Sequence, residues 1–165
     1  GFGKQSPAPG LTGYHFLGFQ IISSRVFRYM PKSEAESNIL YDQFVAALAA
    51  GEKISVFQQE GLWFETGNAQ DLLEATGSLL ALLDDPSRAQ NSQLRWLQEI
   101  LKKYGAGRFA NGKLIHPSAR MGDGVVLNGP CVIGANTEIE SNAWLKNVIV
   151  LPGSKAQGIC EDVIL

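Results

Sequence analysis

The most regular feature of the chain is a repeat of aliphatic residues in its last third. Aliphatic side chains recur every six positions, seven times in succession, at Ile115, Met121, Leu127, Ile133, Ile139, Leu145 and Leu151. A second series lies four residues after each of these, at Ala119, Val125, Cys131, Thr137, Ala143, Ile149 and Lys155. A short fixed period is typical of solenoids and fits neither an α-helix nor a simple hairpin. The pattern predicts a left-handed parallel β-helix over residues 115–165, with the first series facing one core and small residues such as Gly122 and Gly134 at its corners.

The preceding 114 residues show mixed α/β patterns. Apolar, β-rich segments predict strands at 14–22, 53–59 and 61–67, with Gly18 inside the first of them. Helical periodicity predicts helices at 34–50, 68–83 and 92–104, joined to the repeats by a linker at 105–113. The predicted caps are a Ser33–Glu36 capping box, a Gly51 stop and an Asn68 N-cap. We therefore expect an α/β part at 1–83, a helical linker at 84–114 and the β-helix at 115–165.

Composition narrows the class of protein. The chain is 45% hydrophobic and 18% charged, so it can bury a core, and its net charge of −2 without a basic cluster argues against nucleic acid as a partner. No apolar run approaches the ~18 residues of a spanning helix, and no signal peptide is recognisable. Cys131 and Cys160 lack metal-type spacing and fit reduced core residues. These features predict a cytoplasmic protein without a membrane partner, and the start at Gly1 suggests that an upstream part is absent.

Three blocks of the sequence, in order, resemble the C-terminal part of the sugar-phosphate nucleotidyltransferases. "HFLGFQIIS", from His15, resembles a strand that this family writes F-T-G-I-H-I-I-S. "GEKISVFQQEGLWFETGNAQDLLEA", from Gly51, resembles a strand pair followed by W-x-D-x-G-T-P-x-D-Y-L-x-A. "NAWLKNVIVLPGS", from Asn142, resembles the β-helix that follows in members with a C-terminal solenoid. The likeness is strongest to the mannose-1-phosphate guanylyltransferase branch of the NDP-sugar pyrophosphorylases.

This resemblance implies an enzyme that forms an NDP-sugar and pyrophosphate from an NTP and a sugar-1-phosphate. The family cradles the triphosphate with an N-terminal G-x-G-T-R-x-x-P-x-T loop, whose glycine amides bind phosphate. No such loop is found here, because "GFGK" at Gly1 has neither a preceding strand nor a following Thr-Arg. We therefore expect the 165-residue chain to carry no catalytic residue of its own and to be inactive alone.

The resemblance also implies the positions of a sugar pocket and a metal site. Leu17, Gly18 and Trp63 correspond to the sugar side, and Glu65 stands where the family has a metal-binding aspartate. In the family this aspartate helps to hold Mg²⁺ against the substrate phosphates, since Mg²⁺ prefers hard oxygen ligands. The ion neutralises phosphate charge during in-line attack. Glu65 keeps the charge but is one methylene longer.

Each of these residues has a structural alternative. Glu65 could be a solvated carboxylate near the positive end of a helix that Thr66 or Asn68 caps. Asn68 and Ala69 replace the family's Thr-Pro, which favours that alternative. Gly18 could be a bulge glycine packed under a helix, and Trp63 a core aromatic. The two histidines, His15 and His116, are interpreted as strand-end or corner residues.

Three functions remain open from the sequence. They are the C-terminal portion of a nucleotidyltransferase, a hexapeptide-repeat acyltransferase, and a non-catalytic regulatory or scaffolding relative. Little more than two coils are expected, and no partner for His116 is recognisable, which argues against acyl transfer. A homo-oligomer, most simply a dimer, is expected, because an open solenoid end and the apolar stripe of helix 92–104 both need cover.

Overall fold

A computed structural model of the chain describes residues 9, 10, 12–31, 36–88, 90–103 and 108–165. The chain divides into two compact units, Gly1–Gln59 and Glu60–Leu165. The helical elements of the described residues are a 3-10 helix Ser24–Tyr29, a π-helical turn Ile39–Gln43, α1 Phe44–Ala49, α2 Ala69–Asp84, a 3-10 turn Pro86–Arg88 and α3 Ser92–Lys103. The strands are β1 Arg108–Ala110, β2 Lys113–Ile115, β3 Arg120–Met121, β4 Val126–Ile133, β5 Glu138–Ile139, β6 Trp144–Val150, β7 Lys155–Ala156 and β8 Ile159–Ile164.

The second unit is built on a parallel β-solenoid of about three turns, which confirms the solenoid predicted from the repeat. Strands β2, β4, β6 and β8 stack in parallel in that order, and β3, β5 and β7 form a second parallel sheet. Face A comprises residues 113–115, 131–133, 148–150 and 163–165; face B comprises β3, β5 and β7; face C comprises residues 126–128, 144–146 and 159–161. Strands β4, β6 and β8 each turn one corner and so contribute to faces A and C.

Most of the predicted inward series lines the solenoid core. Ile133, Ile139 and Leu145 are fully buried, and Ile115 and Leu127 pack against the same cluster. Cys131, Thr137 and Ala143 of the second series are also fully buried. The inward register of the repeat is therefore confirmed over the first two coils.

Two members of the inward series are exposed, for different reasons. Met121 keeps its predicted register, since it pairs with Ile139, but it is exposed because it lies in the first coil, where no strand of the described residues stacks beyond β3. Leu151 is 48% exposed, and Val150 takes its place opposite Ile133. The prediction that Leu151 faces the core is wrong.

The slip at Leu151 comes from a coil that is one residue shorter. Asn128 pairs with Lys146, but three residues later Cys131 pairs with Val148, which is only two residues after Lys146. Side chains alternate between the two faces of a strand, so losing one residue exchanges inward and outward positions. A strict period of six therefore fails from residue 148 onward.

Small residues lie where successive coils approach each other, as predicted. A Cβ atom built on Gly134 would lie 2.7 Å from the backbone nitrogen of Pro152 and 2.8 Å from the carbonyl oxygen of Val150. A Cβ atom on Gly122 would clash with the backbone nitrogen of Ser141. Glycine is required at these corners because the backbone of the next coil occupies the space of a side chain.

Helix α2 covers the outside of face A. The outward residues of this face form one register row, Leu114, Val132, Ile149 and Ile164. Ile149 is only 8% exposed although it lies between the inward Val148 and Val150. Helix α2 packs against β4, β6 and β8, with Gly77 in close approach to Pro130 and with Leu73 and Leu80 buried. The amphipathic helix predicted at 68–83 is thus the second layer of this unit.

Helix α3 confirms the helix predicted at 92–104 up to Lys103, with Leu94 buried, and residues 104–107 lie outside the described part. The predicted linker 105–113 contains a feature that was not predicted, the antiparallel hairpin of β1 and β2. Its turn is Asn111-Gly112, with φ angles of 50° and 69°. An Asn-Gly pair is a common hairpin signal, since both turn residues need positive φ.

The first unit departs most from prediction. No strand is present over 14–22 or 53–59, and in the second unit none is present over 61–67. A strand exists only where a partner satisfies its backbone N–H and C=O groups, and the described residues provide no ladder partner for these segments. An apolar pattern can indicate the tendency to form a strand but cannot supply that partner.

The predicted helix 34–50 forms over a shorter range. It begins with the π-helical turn at Ile39, where the Asn38 side chain accepts hydrogen bonds from the backbone N–H groups of Leu40 and Tyr41. Asn38 therefore replaces the predicted cap Ser33, which lies outside the described residues. Gly51, with a φ of 84°, follows the end of α1 and confirms the predicted stop.

Candidate functional site

The stretch around Glu65 forms the start of helix α2. The Asn68 side-chain oxygen accepts a hydrogen bond from the backbone N–H of Asp71 at 3.0 Å, and its amide donates to the Asp71 carboxylate at 2.7 Å. This confirms Asn68 as the N-cap. Glu65 lies in the preceding loop, and its Oε1 accepts from the backbone N–H of Thr66 at 3.0 Å. A Cβ atom on Gly67 would lie 3.2 Å from the same oxygen.

Helix α3 fixes the chain just before Trp63. The side-chain oxygen of Gln93 accepts a hydrogen bond from the backbone N–H of Leu62 at 2.9 Å. Gly61 has a φ of 150°, and the Gln93 amide lies about where its side chain would be. Trp63 is 42% exposed, so one part of the indole is covered while the rest lies at the surface.

Leu17 and Gly18, the other predicted sugar-side residues, belong to the first unit. Both are exposed. Gly18 has a φ of 83°, and no described atom lies within 4 Å of a Cβ atom built on it. The need for positive φ therefore accounts for this glycine, without packing under a helix. The predicted site residues are divided between the two units, and their common sugar pocket stays a prediction.

The donor set around Glu65 does not by itself form a magnesium site. Mg²⁺ is held by several oxygen ligands in octahedral geometry. Among residues 9, 10, 12–31, 36–88, 90–103 and 108–165, no group of three or more His, Cys, Asp or Glu side chains is placed to hold a metal ion. Glu65 would have to share the ion with an acidic residue or phosphate from elsewhere.

His116 lies at a solenoid corner, as predicted, and has a partner that sequence analysis missed. Its Nδ1 lies 2.8 Å from the Ser118 hydroxyl and accepts from the Ser118 backbone N–H at 3.2 Å. The same hydroxyl accepts from the backbone N–H of Asn136 in the next coil at 2.8 Å. The hydrogen bond from Asn136 to Ser118 joins the first coil to the second. The serine two residues after the histidine was the sequence signal for this partner of His116. His15 is exposed in segment 14–22.

Charged side chains form rows along the outside of the solenoid. On face B, Lys155 pairs with Glu138 at 2.8 Å, and its hydrogen bond lowers the pKa of Glu138 while Glu138 raises the pKa of Lys155. On face C, Lys146 pairs with Glu161, whose hydrogen bond raises the pKa of Lys146. These pairs lie at the surface, where such interactions contribute little to stability.

The two thiols belong to the solenoid rather than to a reactive site. Both cysteines are free, and burial raises the pKa of Cys131. Its sulfur lies 3.5 Å from the carbonyl oxygen of Asn128. Since the thiolate is the nucleophile and metal ligand, a buried thiol with raised pKa fits a packing role.

An open, mostly apolar groove lies where α2 meets the hairpin, and there the Asp84 carboxylate accepts a hydrogen bond from the backbone N–H of Gly112.

The architecture of the second unit is a β-solenoid with a helical layer on one face. Comparisons with protein-family models, with curated proteins and with solved structures found no match to this chain. In the described part of the chain, no helix combines the length and apolar character needed to cross a membrane.

Proposed function

We propose that this chain is the C-terminal portion of a sugar-phosphate nucleotidyltransferase that ends in a left-handed β-helix of hexapeptide repeats. The supporting observation is the solenoid itself, which begins after the Trp63–Glu65 block, as in the resembling family. The block from Asn142 builds its middle coil, and the helix that follows Glu65 packs on its outer face. The Trp63–Glu65 block and the solenoid therefore belong to one unit, while Leu17 and Gly18 belong to the other.

In this proposal the chain supplies the sugar side of the reaction and the support for it. Leu17, Gly18 and Trp63 would be the sugar-side residues of the full-length enzyme, and Glu65 would provide one oxygen ligand for Mg²⁺ near the positive end of α2. The ion would offset phosphate charge, while positioning by the protein would align the sugar-1-phosphate for in-line attack on the NTP. The triphosphate loop and a second acidic ligand would come from an upstream part of a cytoplasmic protein.

The test is pyrophosphate release by the natural gene product that carries this chain, with a panel of NTPs and sugar-1-phosphates. We expect turnover with at least one pair and none with the 165-residue chain alone. In the natural product Glu65→Gln should lower kcat/KM at least ~10-fold, because a metal ligand loses its charge, and Glu65→Asp should retain activity. Thr66→Ala, next to it, is the control. The absence of turnover with every pair would contradict the proposal.

One observation favours a second candidate, a non-catalytic regulatory or scaffolding relative. Glu65 already accepts a hydrogen bond from the backbone of Thr66, and the described residues gather no metal cluster around it. A relative of this kind would bind sugar-1-phosphate or NDP-sugar without converting it. Calorimetry with the natural gene product separates the two, since binding without turnover is expected only of the second.

The hexapeptide-repeat acyltransferase has less support. Both polar contacts of the His116 Nδ1 are with Ser118, within its own corner. The Ser118 hydroxyl is occupied in joining two coils. A histidine held in this way stabilises the solenoid corner, which accounts for it without acyl transfer.

A further inference from the structure

The three outer faces of the solenoid differ in what they present. Face A carries an apolar row, and helix α2 covers it. The outward row of face B is charged, formed by Arg120, Glu138 and Lys155. A charged row is stable in water, so neither of these faces requires a further partner.

Face C carries an apolar row that the described part of the chain leaves exposed. Val126 pairs with Trp144, and Trp144 pairs with Ile159, so the three side chains stack outward along the solenoid axis. Val126 is 49% and Ile159 is 80% exposed, and Trp144 is half-buried. Stacked exposed apolar residues, with an aromatic at the centre, are typical of an interaction surface.

A second row beside it identifies the partner by its charges. Asn128, Lys146 and Glu161 stack outward in the same three coils. Lys146 and Glu161 form an ion pair and are each 44% exposed, so both can meet charges from another molecule. This row has a positive charge in one coil and a negative charge in the next.

We propose that face C is a two-fold interface between two copies of this chain, with the solenoids antiparallel. An antiparallel two-fold axis between the second and third coils places Lys146 of each copy opposite Glu161 of the other. A parallel two-fold would place like charges opposite each other, which is unfavourable. The same axis places Trp144 of each copy opposite Ile159 of the other, as a self-complementary two-fold contact requires, and Val126 lies at the edge of the contact.

The small size of the face indicates a weak interaction. Three strands about 4.8 Å apart and three residues long present far less than the ~800 Å² per partner of a standard interface. We therefore expect a weak dimer with a Kd on the order of 10–100 μM, dissociated further by salt. The inference does not depend on the proposed reaction.

The test is sedimentation equilibrium of the 165-residue chain at low salt, from about 5 to 500 μM, a range that spans the expected Kd. The mass should rise from 17.9 kDa toward twice that value. Ile159→Lys should abolish the rise, while Val56→Lys, at an apolar residue 73% exposed in the first unit, should not. A mass of 17.9 kDa at every concentration, or a dimer that tolerates Ile159→Lys, would overturn the proposal.

Charge reversal tests the pairing of charges between the two copies. Lys146→Glu and Glu161→Lys should each raise the dimer Kd at least ~10-fold, because like charges then face each other. An equimolar mixture of the two variants should recover a dimer, since the acidic row of one meets the basic row of the other. Circular dichroism confirms that each variant is folded. Failure of the mixture to associate would exclude this register, and since no substrate is present, the result leaves the nucleotidyltransferase proposal untouched.

Discussion

Two leucines of the same sequence series, Leu145 and Leu151, should differ sharply when truncated to alanine. Leu145 is 0% exposed in the middle coil, and Leu151 is 48% exposed after the one-residue slip. Leu→Ala in a packed core costs about 3–5 kcal/mol, the sum of lost transfer free energy and a cavity. Leu151→Ala removes three carbons, each of which contributes about 0.8 kcal/mol when it is fully buried. Because Leu151 is half exposed and its truncation leaves no cavity, the expected loss of stability is about 1 kcal/mol.

A third variant, at Val150, tests the same slip, because the Val150 side chain is smaller than that of Leu151 but fully buried. Val150→Ala removes two carbons from the core and should cost about 2 kcal/mol, more than Leu151→Ala. The free energies of unfolding are measured by urea denaturation followed by circular dichroism, with equal m-values as the condition for comparison. If Leu151→Ala is as costly as Leu145→Ala, or costlier than Val150→Ala, the shortened coil is wrong and the strict period of six holds.

Two further substitutions test the corners and the candidate site. Gly134→Ala should destabilise the solenoid by about 1–3 kcal/mol, because its Cβ would displace the backbone of Pro152 and strain the hydrogen bond from the Gly134 N–H to the Val150 carbonyl. Gly67→Ala is the control, because the nearest atom to its Cβ belongs to the flexible Glu65 side chain. Equal unfolding midpoints for the two variants would contradict this prediction. Asn68→Ala should cost about 0.5–2 kcal/mol through loss of the α2 cap, measured by thermal unfolding. Asn68→Ser should recover most of that loss if capping is the cause.

The solenoid could be predicted because each coil repeats the same requirement for an inward side chain. The slip could not be predicted from spacing alone, because Val148, Ile149 and Val150 are all apolar and fit either register. The corner residues carry a signal for the position of the turn, although not for its length. Gly129, Asn147 and Asp162 have φ angles of 62°, 50° and 53°, and Gly, Asn and Asp are the residues that adopt this conformation most readily.

The candidate site was predictable only where it is local. The Asn68 cap depends on residues within three positions, and the structure confirms it. A metal site at Glu65 depends on a second oxygen ligand from a distant segment, which no local pattern specifies. The strands expected at 14–22 and 53–59 fail for the same reason, since each requires a partner strand.

Faces A and C show what alternation in a solenoid leaves undetermined. Both have an outward apolar row, Leu114–Val132–Ile149–Ile164 on one and Val126–Trp144–Ile159 on the other. The two rows have the same sequence pattern. The alternation of side chains along a strand distinguishes inward from outward positions, but it does not show which outward positions another element covers. Helix α2 decides between them by packing on face A. What remains on face C is an apolar row bordered by opposite charges, a surface suited to a second molecule with the complementary order of charges.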